Sequence, residues 1–231
     1  MTDGRRARVG LVIPALDEEA AIGTVIQAVP AALVDDLIVV DNGSTDETAL
    51  VARAAGARVI IEPRRGYGAA CWAGVLALSP EVEVAAFLDG DGSQDPAELP
   101  RLLTPLEADC ADLVLGVRGF GGAGSDHPRH AVLGTRAVAT IVRWRFGVRL
   151  RDIGPFRAIR RSALLALNLR DRGYGWPVEM VVKAAHRGLR IAEVEVTQRP
   201  RLGGRSKVAG TFRGSLRAGW RFVQVALREG R

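Results

Sequence analysis

Two aspartates separated by one glycine follow a short apolar run, in the segment Asp89-Gly90-Asp91-Gly92-Ser93-Gln94-Asp95. Asp89 and Asp91 alternate along an extended chain, and Gly90 allows another backbone to approach closely. Paired carboxylates are hard oxygen ligands suited to Mg²⁺ or Mn²⁺, which complete their coordination with water and phosphate oxygens. The segment therefore predicts a divalent-cation site, and the alternative is a turn whose acids cap the next helix.

Two other polar segments follow apolar runs. In Val40-Asp41-Asn42-Gly43-Ser44-Thr45-Asp46, Asp41 is placed to accept hydrogen bonds from a ribose or base. Ser44 and Asp46 have the side chains that cap helices. In Ile13-Pro14-Ala15-Leu16-Asp17-Glu18-Glu19, the acids either contact a nucleoside or cap a helix, and we expect Pro14 to end the strand.

The elements that carry these segments alternate between strand and helix. Apolar runs cover residues 8–13, 37–40, 57–61, 84–88 and 112–117, with helical stretches at 17–29, 47–55, 68–78 and 96–106. This alternation is typical of an α/β fold whose parallel sheet is covered by helices on both faces. Because ligands of such folds bind at the carboxyl ends of strands, we expect the three polar segments at one edge.

The second half is less regular. The pattern predicts a glycine-rich loop and a helix, then a strand, two helices and an exposed strand, and finally a basic loop and a basic amphipathic helix. Their expected ranges are 119–130 and 131–146, then 153–159, 161–167, 177–186 and 189–198, and finally 199–210 and 211–227.

Charge is unevenly distributed along the 231 residues. Residues 1–117 carry a net charge of −11 and residues 118–231 a net charge of +17, and 30 of the 32 basic residues are arginines. Since the arginines are spread along the second half rather than clustered in a tail, we expect no nucleic-acid partner. The composition excludes a disordered chain, and no apolar run is long enough to span a membrane. Cys71 and Cys110 are expected to be core thiols in a reducing compartment.

The three strand-end segments together resemble the family 2 glycosyltransferases, which have the GT-A fold. Arg65-Gly66-Tyr67-Gly68-Ala69-Ala70 is similar to the family's glycine-rich segment. Within the family, the chain is most similar to the dolichyl- and polyprenyl-phosphate mannose or glucose synthases. The resemblance spans about residues 9–212 and is supported by the segments Gly116-Val117-Arg118, 152–161, 176–180 and 201–208.

This resemblance implies a metal-dependent, inverting transfer of a hexose from a donor of the GDP-mannose or UDP-glucose type. The implied metal ligands are Asp89 and Asp91, with Gln94 the weakest of the three because its spacing is one residue longer than in some relatives. The implied nucleotide-sugar contacts are Pro14, Leu16, Asp17, Glu18, Asp41, Arg65, Gly66, Asp89, Gly90, Arg205 and Lys207. Asp17 departs from the family pattern, in which asparagine is more usual.

The resemblance also implies an acceptor, with polyprenyl phosphate as the first choice. Arg118 is the preferred ligand for the acceptor phosphate, followed by Arg129 and Arg136, because guanidinium geometry suits phosphate. If the acceptor is instead a hydroxyl, a carboxylate base is required, and Glu179 is the candidate. Asp89, Asp91, Arg118 and Glu179 are therefore the expected catalytic residues. Arg205 and Lys207 follow two glycines, on a loop able to close over the donor diphosphate.

We expect one domain over residues 1–231, with a nucleotide and metal half (1–117), an acceptor half (118–210) and an amphipathic C-terminal helix (211–231). This helix suits an anionic membrane surface, the domain itself or a second subunit equally well. The expected location is therefore cytoplasmic, either free or peripheral at the membrane face. The chain has none of the membrane spans that follow this domain in some relatives, so a soluble or other lipid acceptor remains the alternative.

Two more remote alternatives are a nucleotidyltransferase and a non-catalytic module that binds nucleotide sugars. A nucleotidyltransferase usually carries a Gly/Arg-rich loop with a lysine directly after its first strand, and this chain does not. The intact pair Asp89 and Asp91 argues against a non-catalytic module.

Overall fold

The computed structural model describes residues 6–118, 139–140 and 142–203. Seven strands form one sheet in the order β3-β2-β1-β4-β6-β5-β7. Every neighbouring pair is parallel except those made by β6, which is antiparallel to β4 and to β5. The strands are β1 (Val9–Ala15), β2 (Asp36–Asp41), β3 (Arg58–Ile61), β4 (Val84–Phe87), β5 (Leu113–Arg118), β6 (Arg157–Arg160) and β7 (Ile191–Val196).

Helices cover both faces of this sheet and bury a separate apolar cluster on each. Ile13 and Leu102 belong to the cluster on one face, and Phe87 and Trp176 to the cluster on the other. Strands covered on both sides are built of nearly continuous apolar residues, as the sequence pattern indicated. The predicted α/β class is therefore confirmed. The helices are α1 (Glu19–Gln27), α2 (Thr48–Ala54), α3 (Tyr67–Ala77), α4 (Leu99–Glu107), α5 (Arg161–Leu167) and α6 (Trp176–His186), with a 3₁₀ turn over Pro96–Glu98.

Pro14 does not end the first strand, so that prediction is wrong. The carbonyl oxygen of Val12 bonds toward β4 and that of Ala15 toward β2, so alternate residues of β1 face alternate neighbours. Pro14 therefore faces the β4 side, at a point beyond the last residue of β4. Because no residue of β4 faces Pro14 there, its missing N–H removes no hydrogen bond of the sheet. The strand therefore continues to Ala15.

Several predictions for the second half of the chain differ from the structure or concern residues outside the described ranges. The strand expected at 153–159 is shorter and later, at Arg157–Arg160. Of the helix expected at 131–146, residues 139–140 and 142–146 are helical, and the rest lies outside the described residues. The same applies to the C-terminal helix, and with it to the expected domain divisions. Cys71 is buried as expected, but Cys110 is exposed, because it lies in the turn after α4.

Candidate active site

The carboxyl ends of β1, β2 and β4 lie side by side, as the sequence analysis predicts for the three polar segments. Ala15 is in register with Asp41, and Val12 with Phe87. Gly90 lies against the end of β1, where an added Cβ would be in ordinary contact with the carbonyl oxygen of Pro14, at 3.5 Å. The three segments therefore meet at one edge of the sheet.

The turn after β1 is tied to the turn after β2 by Asp17. This residue has a positive φ of 49°, a conformation that is uncommon for aspartate. Its Oδ1 accepts a hydrogen bond from the Thr45 backbone N–H at 2.8 Å, while its own N–H donates to Ser44 Oγ at 3.0 Å. The Asp17 carboxylate therefore already forms hydrogen bonds within the protein. This geometry favours a role in which Asp17 positions the two turns.

Asp41 and the glycine-rich segment are held together at the end of β2. Asp41 is buried, and its Oδ1 accepts from Ser44 N–H at 2.8 Å. The Oδ1 atom of Asn42 accepts from Gly66 N–H at 2.7 Å. The guanidinium of Arg65 lies beside Gly43, so Arg65 and Asp41 border the same turn.

The acidic turn after β4 is internally braced. Asp91 Oδ1 accepts from Ser93 N–H at 2.8 Å. Gln94 is buried, and its Oε1 accepts from Asp89 N–H at 3.3 Å while its Nε2 donates to Ser93 Oγ. Gln94 therefore lies in the same turn as both aspartates, but its amide oxygen already accepts a hydrogen bond from the Asp89 N–H.

The pKa of Asp89 is strongly raised. Burial, reinforced by the neighbouring charge of Asp91, raises its pKa to about 7. The hydroxyl of Tyr67, the first residue of α3, donates to Asp89 Oδ1 at 3.2 Å and opposes this rise. The positive charges of Arg157 and Arg201 act in the same direction as Tyr67.

Arg201 links two of the strand-end segments through a pair of ionic bonds. Its Nη1 lies 2.7 Å from Asp91 Oδ2, and its Nη2 lies 2.5 Å from Glu18 Oε1. Both carboxylates are buried, so this guanidinium compensates two buried charges at the acidic edge. Sequence reasoning did not assign Arg201 to the site, because 110 residues separate it from Asp91.

Residues 197–203 lie over the acidic turn and position Arg201. The Leu202 N–H donates to the Asp91 carbonyl at 3.0 Å, and the Arg199 N–H donates to the Ser93 carbonyl at 2.8 Å. Gly92 has a φ of +74°, and an added Cβ there would lie 2.5 Å from Leu202. Arg205 and Lys207 follow this segment but lie outside the described residues, as do Arg129 and Arg136.

Arg157 is a second cation that sequence reasoning missed, although an arginine inside an apolar strand was a usable signal. Its side chain is fully buried, and its guanidinium donates to the carbonyls of Gly154 and Pro177. It therefore fixes the loop before β6 against the start of α6, next to the acidic turn. Arg118, the preferred acceptor ligand, is the last residue of β5, which runs parallel to β4.

Glu179 lies in a setting that does not favour the proposed general base. Its carboxylate accepts from the N–H groups of Arg170 and Asp171, and Lys183 Nζ lies 2.7 Å from its Oε1. The loop held in this way packs on the start of α3, where its carbonyls accept from Gly68 and Ala69 N–H. Since the carboxylate is engaged in holding this loop, the geometry favours a structural role.

The donor set fits a divalent cation. Asp89 and Asp91 project from one turn, and their mutual repulsion raises the pKa of Asp89. The guanidinium of Arg201 already places a positive charge beside Asp91. Within residues 6–118, 139–140 and 142–203, no cluster of three or more His, Cys, Asp or Glu side chains suits a metal. Two carboxylates completed by water and phosphate oxygens are the usual arrangement for Mg²⁺.

Solved structures with the same architecture include a glucosyl-3-phosphoglycerate synthase from Mycobacterium tuberculosis, in complex with Mn²⁺, UDP and glucosyl-3-phosphoglycerate. Its TM-score is 0.80 at 28% sequence identity, and the match covers 96% of this chain and 80% of that one. The expected GT-A fold is therefore confirmed.

Sequence comparison gives the same assignment. An uncharacterized glycosyltransferase of Mycobacterium tuberculosis is 45% identical, over 90% of this chain and 93% of its own length. An undecaprenyl-phosphate mannosyltransferase of Micrococcus luteus is 34% identical over 88% of each chain. The family model described as glycosyl transferase family 2 matches residues 11–167. The chain is therefore a glycosyltransferase of family 2.

Proposed function

We propose that this enzyme transfers a hexose from a nucleotide-diphosphate sugar to a polyprenyl phosphate, with Mg²⁺ or Mn²⁺ as cofactor and with inversion at the anomeric carbon. The observation that carries the proposal is the convergence of Asp41, Asp89 and Asp91 at one sheet edge, where Arg201 bridges Asp91 and Glu18. This edge combines a nucleoside-binding carboxylate with a cation site, as a nucleotide sugar requires.

On the donor side, we assign nucleoside binding to Asp41 and to the turn containing Pro14, Leu16, Asp17 and Glu18. Arg65 and Gly66 border the turn after β2, which begins at Asp41, through Asn42 and Gly43. We assign the metal to Asp89 and Asp91, which lie on either side of Gly90. Gln94 supports this turn through its hydrogen bonds. When bound, the metal neutralises the charge of the departing diphosphate. Arg201 can turn from Asp91 toward the same diphosphate, followed by Arg205 and Lys207.

On the acceptor side, we assign the phosphate to Arg118, Arg129 and Arg136. A phosphate oxygen forms the new bond to the anomeric carbon, and the bond from that carbon to the diphosphate breaks. The nucleoside diphosphate leaves with the electron pair. Because a phosphate monoester is already anionic near neutral pH, no general base is required, in keeping with the engagement of Glu179.

The choice of acceptor rests on the higher sequence identity of the lipid-linked relative, 34% against 28%, and on its match over more of the relative's own length, 88% against 80%. The undecaprenyl-phosphate mannosyltransferase aligns over 88% of both chains and so includes both halves of this one. The second candidate is a small phosphorylated acceptor, favoured by the structural likeness to glucosyl-3-phosphoglycerate synthase. Both acceptors present an anionic phosphate to the same arginines. The amphipathic segment 211–231 is proposed to contact the membrane face, with a homodimer as the alternative.

A transfer assay separates the two candidates. Radiolabelled GDP-mannose and UDP-glucose are incubated with the protein, Mn²⁺ and either undecaprenyl phosphate in detergent or 3-phosphoglycerate. We expect label to enter the organic phase with the polyprenyl acceptor only, and to remain in the donor when a chelator is present. Transfer to 3-phosphoglycerate alone would overturn the lipid acceptor. Failure of both donors to react with any acceptor would count against the whole assignment.

A further inference from the structure

Trp144 is an apolar side chain left in solvent. It is 84% exposed, on the helical residues 142–146. Val142 on the same helix is fully buried and clusters with Val178 and Val182 of α6, while the Phe146 ring contacts His186 edge-on. This packing fixes which side of the helix faces the protein, and Trp144 lies on the other side.

Arginines surround this tryptophan. Arg143, Arg145 and Arg149 are exposed, and none forms an ion pair with any residue in the described ranges. Arg151, the next arginine along the chain, is paired with Glu193 and Glu195 and does not belong to this group. Arg143, Arg145 and Arg149 therefore give the surface around Trp144 three positive charges with no ion-pair partner among the described residues.

An exposed indole beside uncompensated arginines matches the chemistry of an anionic bilayer surface. Indole rings favour the headgroup region because one end is apolar and the other is a hydrogen-bond donor. Each arginine near an anionic leaflet adds favourable electrostatic energy. Among the described residues, the other exposed large hydrophobic side chains are aliphatic, such as Leu50 and Leu76, apart from Tyr174, which is only 37% exposed.

We propose that the Trp144 surface, defined as Arg143, Trp144, Arg145 and Arg149, docks on an anionic phospholipid bilayer. It belongs to a different element from the C-terminal segment 211–231. The inference deepens the proposed function, because a polyprenyl acceptor resides in a bilayer, but its test requires no catalysis.

The test is flotation of the full-length protein with phosphatidylcholine vesicles, with and without phosphatidylglycerol. We expect binding only to the anionic vesicles, and release by salt because exposed charges are screened. Arg143→Gln combined with Arg145→Gln should lower partitioning by about fivefold per arginine. Trp144→Ser should lower it by a similar or larger factor. The controls, Leu76→Ser and Arg53→Gln, alter exposed residues elsewhere and should bind like the wild type.

Tryptophan fluorescence identifies the residue that enters the headgroups. Anionic vesicles should shift the emission to shorter wavelength, and Trp144→Phe should remove that shift while Trp220→Phe should not. The opposite pattern would assign docking to the C-terminal segment and overturn the proposal. Absence of vesicle binding by the wild type would also overturn it, as would a loss of self-association, rather than of vesicle binding, in Trp144→Ser. Failure of the transfer assay alone would leave the vesicle result intact.

Discussion

Asp89 and Asp91 place two carboxylates in a partly desolvated turn with limited positive charge around them. Burial and Asp91 raise the pKa of Asp89 to about 7, above its ordinary value of 3.8. The Asp89 carboxyl of the folded protein therefore ionises only near neutral pH, and its ionisation lowers stability in the absence of a bound cation. A site that destabilises the empty protein in this way is ready to bind a metal.

The variant Asp89→Asn tests this cost in metal-free protein. Because the folded pKa is raised, stability is greatest below the ordinary pKa and falls as pH rises through about 7. The substituted amide cannot ionise, so the variant should exceed the wild type at pH 8 by on the order of 2–4 kcal/mol, with a much smaller difference near pH 4. Urea unfolding with a chelator measures both curves, and parallel curves would refute the explanation.

Arg201 is expected to act differently toward the metal alone and toward the donor. Arg201→Gln removes a positive charge beside Asp91, so Mn²⁺ alone should bind more tightly, by a few-fold. The same change removes a cation for the diphosphate, so the donor with Mn²⁺ should bind about tenfold more weakly. Calorimetric titrations measure both. Arg199→Gln, which loses only an exposed pair with Asp95, is the control, and a change of both affinities in one direction would contradict this role.

At the scale of elements, loops far apart in sequence support the acidic turn. Residues 197–203 cover it from above through backbone hydrogen bonds. The loop around Arg170 and Asp171, held by Glu179, braces the start of α3, from which Tyr67 reaches Asp89. The position of Asp89 therefore depends on elements from both halves of the chain.

Glu179→Gln distinguishes support of this loop from general-base catalysis. The amide cannot accept the same set of charge-assisted bonds and leaves Lys183 without its carboxylate partner, so we expect a stability loss of about 2–4 kcal/mol. Turnover at low temperature, where the variant is folded, should fall only a few-fold. A loss of a hundredfold or more in kcat with unchanged unfolding would restore Glu179 as the base.

Local patterns in the sequence predict the strand ends but not the contacts made across the chain. The apolar runs before Asp41 and Asp89 place both aspartates correctly, because strand direction and polarity are local properties. The Arg201 contact depends on how β7 pairs with β5, and no local pattern encodes that pairing. The prediction that Pro14 ends β1 is wrong for a similar reason, because whether the strand tolerates a proline there depends on where β4 ends.

For the whole molecule, the charge division at the end of β5 acquires a structural meaning. The acidic half carries Asp89 and Asp91, and the basic half places Arg157 and Arg201 near them. The two halves therefore share the proposed cation site instead of dividing donor and acceptor cleanly. None of the helices in the described residues is long and apolar enough to cross a bilayer.

The central claim is that Asp89 and Asp91 hold a metal through which a nucleotide sugar binds. Calorimetric titration of UDP-glucose and GDP-mannose, with Mn²⁺ or with a chelator, tests it most directly. We predict that one donor binds in the presence of Mn²⁺ only, and that Asp91→Asn abolishes this binding while the unfolding transition remains cooperative. Equal donor affinity in the chelator, or full affinity in Asp91→Asn, would contradict the claim.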